Sequence, residues 1–153
     1  VNSVFDLHRV QAGWGEGNGS DHGGSPGGAG QATWNNRLGS GTPWTTAGGD
    51  FSPTVSASRT ITGFGAFTFS STASLVADVQ GWFDTPVNNF GWLLQSESES
   101  TPTSIRRFGS RDDIANRPIL TIQYSVVPEP GTLALGALGL FTAAIFTTRR
   151  KPV

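Results

Sequence analysis

The chain offers two histidines, eleven acidic residues and no cysteine for chemistry. Glycoside hydrolysis needs two carboxyl groups, one with a raised pKa. Glu16, Asp21, Asp50, Asp78, Glu97, Glu99, Asp112 and Asp113 are available, but no spacing selects a pair. His8 falls mid-strand and reads as structural. His22 follows Asp21 inside a glycine-rich stretch, a poor place for a preorganised base. Two imidazoles without a thiolate make a weak transition-metal set. Calcium needs only oxygen ligands and would suit the Asp-rich loops, although no EF-hand spacing supports it. The expectation is therefore no catalytic residue, no metal site and no cofactor.

A second group of residues lies at the C-terminus. Pro128, Glu129 and Pro130 precede an apolar run at 131–148, and Arg149, Arg150 and Lys151 follow it. No charge falls between Glu129 and Arg149. As a helix that span reaches roughly 27 Å, about the thickness of a hydrocarbon core. The basic end should stay cytoplasmic, which puts the body on the far side of the membrane. Two prolines keep the segment before the helix extended, as a protease-like groove requires. A plain single-span anchor is the alternative to a processing signal.

Charge is nearly balanced, with ten basic and eleven acidic residues. Phosphate binding wants a clear basic surplus, so nucleic acid is not an expected partner. Low charge with 21 Gly, 10 Phe and 5 Trp fits an extracellular β-rich domain rather than a helical enzyme. The chain as written has no Met and no basic-then-apolar start. With a tail that implies export, it reads as a form shortened at its N-terminus.

The elements that must position these residues follow from periodicity. Residues 4–10 (VFDLHRV) alternate as a strand. Residues 13–30 are half glycine and read as a long mobile loop. Residues 58–62, 66–70, 90–95, 105–109 and 119–124 read as further strands, with Gly63 and Gly65 as a bend. Residues 74–84 break the pattern. Leu75, Val79, Trp82 and Phe83 form one helical stripe, and Ser74 is placed to cap it. Several short strands between turns indicate an all-β sandwich of jelly-roll type with one short helix, plus a transmembrane helix in the tail.

Trp34, Trp82 and Trp92 sit in apolar or strand-like surroundings and read as core. Trp14 and Trp44 border glycine- or proline-marked turns, where an exposed ring can stack on the apolar face of a sugar. These two are the candidate sugar-binding residues. Arg111, Asp112, Asp113 and Arg117 read as a loop-bracing charge cluster.

The order Pro128-Glu129-Pro130, apolar helix, Arg-rich end resembles the PEP-CTERM sorting tail of Gram-negative bacteria. The resemblance implies recognition and cleavage near Pro128-Glu129-Pro130 by a membrane exosortase, and a link to exopolysaccharide or biofilm production. Three paired segments of the body resemble the DNRLRE-type module, a β-sandwich related to carbohydrate-binding modules. They are WGEG at 14–17 with ATWNNR at 32–37, DVQGW at 78–82 with NFGWLL at 89–94, and FGSRDD at 108–113 with NRPILTI at 116–122. The module usually has several strands before the segment matching 4–10, and they are absent here.

Two domains are expected, a body at 1–125 and a sorting signal at 126–153. The leading reading is a non-catalytic, envelope-sorted surface protein that binds extracellular polysaccharide. A structural or adhesive protein without a defined ligand is one alternative. The C-terminal part of a polysaccharide-degrading enzyme is the other.

Overall fold

The computed structural model of the chain describes residues 1–17 and 29–126. It divides into two compact units, Val1–Pro118 and Ile119–Val153. The inner part of the glycine-rich stretch, with Asp21 and His22, lies outside the described residues. So do Pro128, Glu129, Pro130, the expected transmembrane helix and Arg149, Arg150 and Lys151. Among the described residues no helix is long and apolar enough to cross a membrane.

The first unit runs β1 (Ser3–Val10), β2 (Phe51–Ile61), α1 (Ala73–Asp84), a 3-10 turn (Pro86–Asn88) and β3 (Trp92–Ser96). Its three strands form one open antiparallel sheet in the order β2-β1-β3. The described residues are thus mostly β with one short helix, as the composition indicates. The second sheet that a jelly-roll sandwich needs is not present among them.

The strand expected at 4–10 is β1, and the one at 90–95 is β3, shifted by two residues at its start. β2 begins seven residues before the strand expected at 58–62. Pro53 hides that first half, because proline cannot donate to a ladder and is tolerated only at edges and bulges. The pairing shows the cost: His8 pairs with Val55 and Val10 with Phe51, so two extra β2 residues are absorbed around Pro53. The Ser52 carbonyl accepts instead from His8 Nδ1 at 2.9 Å, which makes His8 a buried structural histidine as expected.

Residues 66–70, 105–109 and 119–124 adopt no strand. Their β-branched and aromatic residues would fit a pleated surface, but a strand also needs a partner's N–H and C=O groups. In the second unit, the described residues 119–126 are exposed.

The helix starts at Thr72 rather than Ser74: Thr72 Oγ1 accepts from Leu75 N at 3.0 Å. It stops where Pro86 follows Thr85, whose N–H donates to Gly81 O at 2.9 Å. Leu75, Asp78, Val79 and Trp82 turn inward, while Phe83 is 81% exposed and lies off the stripe. Asp78 binds the helix to all three strands. Its Oδ2 accepts from Ser56 Oγ and, at 2.8 Å, from Trp92 Nε1, while Arg9 Nε lies 3.6 Å from Oδ1. A register shift makes this reach available. Leu7 pairs with Ala57 and His8 with Val55, leaving Ser56 as the bulged residue. Its hydroxyl meets Asp78, and its carbonyl accepts from Thr72 Oγ1.

The core is small. Phe5, Val10, Ala57, Ile61 and Trp82 are its buried apolar residues, and Phe108 meets Phe5 edge-on at 5.1 Å. Trp82 packs edge-on against Trp92 at 4.4 Å between centroids. Its Nε1 is buried without a hydrogen-bond partner among the described residues. Ser3, Asp6, His8, Ser56 and Ser104 are equally buried, so polar groups hold as much of this interior as apolar ones.

Candidate functional site

The candidate site is built where β1 ends. Val10 N donates to Gly91 O at 3.0 Å and Gln11 N to Asp50 O at 2.8 Å, which ties the strand end to both neighbouring segments. Asp50 curls the preceding loop: its carboxylate oxygens accept from Thr45 N and Thr46 N, each at 3.1 Å. The Thr45 amide first, then the Thr46 amide and the Arg37 charge, hold this carboxyl below its usual range against a desolvation cost. The same loop carries Gly48, whose N–H donates to Trp34 O at 2.7 Å.

Gly48 has φ +98°, and a Cβ there would lie 2.9 Å from Trp34 Cη2. Glycine therefore lets the indole lie directly on the loop backbone. Trp34 remains 66% exposed. Between it and β3 lies a cleft of about 720 Å³, lined by Trp34, Thr45, Asp50, Leu93, Gln95 and Glu99 among others. That volume is in the range of small-molecule sites. Among the described residues, no Lys, Arg or His lines it.

Trp34 was expected in the core, and the structure corrects this. Its neighbours Thr33, Asn35 and Asn36 belong to a tight turn closed by the Asn36–Pro43 bridge, which holds Trp34 out at the surface against Gly48, 66% exposed. The turn-prone Asn pair is the sequence signal for an exposed ring. Trp14 and Trp44 lie elsewhere, and neither lines the cleft. Trp14 is 44% exposed and donates through Nε1 to Phe90 O at 2.8 Å. Trp44 is half-buried and donates to Thr33 O at 2.9 Å. Both indoles brace loops to one another.

The charge cluster expected to brace loops does so in part. Arg111 pairs with Glu16 and, at 3.5 Å, with Asp112. Asp113 accepts from the Ala115 and Asn116 amides, and its bond from the Asn116 side chain holds its carboxyl below the usual range. The structure also joins two carboxyls that sequence spacing did not pair. Hydrogen bonding with the buried Asp6, then the Asp6 charge, raises the Glu97 carboxyl. Ser58 Oγ also donates to Asp6. Among the described residues no three His, Asp or Glu gather as a metal site.

No curated protein and no solved structure matches the chain. The tail does match a family model, and the match begins just before Pro128 and ends at Lys151: residues 126–151 are a PEP-CTERM protein-sorting motif.

Proposed function

We propose that the chain is an exported, exosortase-processed surface or matrix protein of a Gram-negative bacterium whose body binds polysaccharide without cleaving it. The sorting motif at 126–151 carries this reading. Such a motif implies exosortase processing and a protein of the cell envelope or secreted from the cell. Pro128, Glu129 and Pro130 are the recognition segment. The apolar run engages the membrane before cleavage, and Arg149, Arg150 and Lys151 retain the cytoplasmic end. Polysaccharide is the partner on the outer side.

Binding is supported by an open cleft with an exposed Trp34, beside the resemblance of three sequence segments of the body to the DNRLRE-type module. The non-catalytic reading is supported by the carboxyls themselves. Asp50 is held ionised with both oxygens bonded to amides, so it makes a poor proton donor. Glu97, the carboxyl with a raised pKa, is spent on Asp6, and neither lines the cleft.

Mass spectrometry of the surface-released protein tests the sorting claim. It should find no peptide beyond Gly131, and Glu129→Ala should accumulate membrane-bound precursor. Intact tail peptides on the released form would leave a simple anchor instead. Release of reducing ends from a bound polysaccharide would overturn the non-catalytic claim.

A further inference from the structure

We infer that the ligand is a neutral glycan and that it binds in the Trp34 cleft; this rests on the polysaccharide-binding reading above and names its site and class. Three features of the cleft converge on that chemistry. The Trp34 indole lies on Gly48 with one face and is 66% exposed, so a flat apolar surface is presented to the cleft. A pyranose ring whose hydroxyls are equatorial has a matching C–H face, and an aromatic plane is the side chain that takes it.

The polar lining suits hydroxyl groups. Gln11 and Gln95 each offer an amide donor and an amide acceptor, and Thr45 and Thr46 add hydroxyls. Sugar hydroxyls donate and accept at once, so such mixed groups satisfy them from either side. Glu99 and Asp50 accept only, which again matches a hydroxyl and not an anion.

Charge then excludes one class. Asp50 is held ionised by the Thr45 and Thr46 amides, Glu99 is exposed, and no cation is found among the described residues that line the cleft. Arg37, whose charge Asp50 feels, donates to Gly13 O at 2.9 Å. A uronate or sulfated sugar would bring a further negative charge beside Asp50 and Glu99, with no cation among the described lining residues to meet it, which is repulsive. Trp14 and Trp44 lack such a setting, since neither lines the cleft and each indole N–H is committed to a backbone carbonyl.

The test is affinity electrophoresis of the full chain through gels holding galactomannan, hydroxyethylcellulose or a polyuronate. Trp34→Ala, Trp34→Phe, Gln95→Ala, Trp14→Ala and Trp44→Ala run beside it, each checked by thermal melting. The full chain should be retarded by a neutral polymer, with little change between low and moderate salt. Trp34→Ala should weaken that retardation about fivefold, the equivalent of one lost stacked ring. Trp34→Phe should restore most of it, and Gln95→Ala should weaken it at unchanged melting. Retardation by the polyuronate alone would overturn the class. Full binding by folded Trp34→Ala, with loss in Trp14→Ala or Trp44→Ala, would overturn the site. Both results would leave polysaccharide binding standing, whereas a folded full chain retarded by no polymer would end that reading and this one together.

Discussion

Trp82 and Trp34 are the same residue type in two regions built on opposite terms. Under α1, polar groups are committed to one another. Asp78 takes the Ser56 hydroxyl and the Trp92 indole, Arg9 stands beside it, and Trp82 is 8% exposed against Trp92. In the cleft at the end of β1, the ring rests on a glycine and polar side chains face open space. A flat sequence such as this one, with many aromatics and few charges, does not announce which ring goes where. What lies beneath each ring decides it: a helix over a sheet closes the first region, and a bare loop backbone leaves the second open.

Substitutions can break that contrast or sharpen it. Trp82→Ala should have the largest effect, a loss of about 3–5 kcal/mol in chemical denaturation, because the small core has little else to close over the gap. A loss near that of a surface site would put Trp82 in the same class as Trp34. Asp78→Ala should cost about 3 kcal/mol, because it leaves the buried Ser56 hydroxyl and the half-buried Trp92 indole N–H without their acceptor. Asp78→Asn should recover part of this by keeping an acceptor for Trp92. Equal losses for the two variants would show that the carboxylate charge, rather than the acceptor geometry, joins helix to sheet.

Gly48→Ala should cost about 1–2 kcal/mol for a left-handed backbone position, and its methyl would also push the Trp34 ring away. The expected signature is a modest fall in melting temperature with a larger proportional loss of glycan retardation. The smallest effect should come from Glu97→Gln. Contact with Asp6 raises the Glu97 carboxyl, so its contribution to stability is present when it is protonated, in acid, and is lost as pH rises through its folded pKa. The amide removes that loss. The variant should melt slightly above wild type at neutral pH, and the gap should close in acid. Asp50 and Asp113, whose carboxyls are lowered, work in the other sense and lose their contribution as pH falls. A gap that widens in acid would contradict a raised Glu97 carboxyl.

The elements with strong local periodicity were the legible ones. β1 alternates cleanly, and the α1 stripe of Leu75, Val79 and Trp82 was visible, with Phe83 wrongly included because the helix presents it to solvent. β2 was half hidden by Pro53, whose missing N–H is accommodated at an irregular edge. Residues 66–70 and 105–109 read as strands from composition alone, without a pairing partner that local sequence could supply. The sorting motif was legible because it is linear: three parts in fixed order need no fold to be recognised. The cleft was not. It joins Trp34, Asp50 and Gln95 across the turn at Gly48, and no spacing encodes a meeting of that kind.

The close contact of Trp82 with Trp92 has an optical consequence. Two indoles 4.4 Å apart and inclined at 61° sit close enough for their excited states to couple. The folded body should therefore show a paired positive and negative band in circular dichroism that vanishes when α1 leaves the sheet. Trp34 stands outside that pair, exposed over Gly48, and its emission should answer to whatever fills the cleft. The protein thus carries two separate colours of signal, one for the integrity of its fold and one for the occupancy of its cleft, and no label is needed to read them.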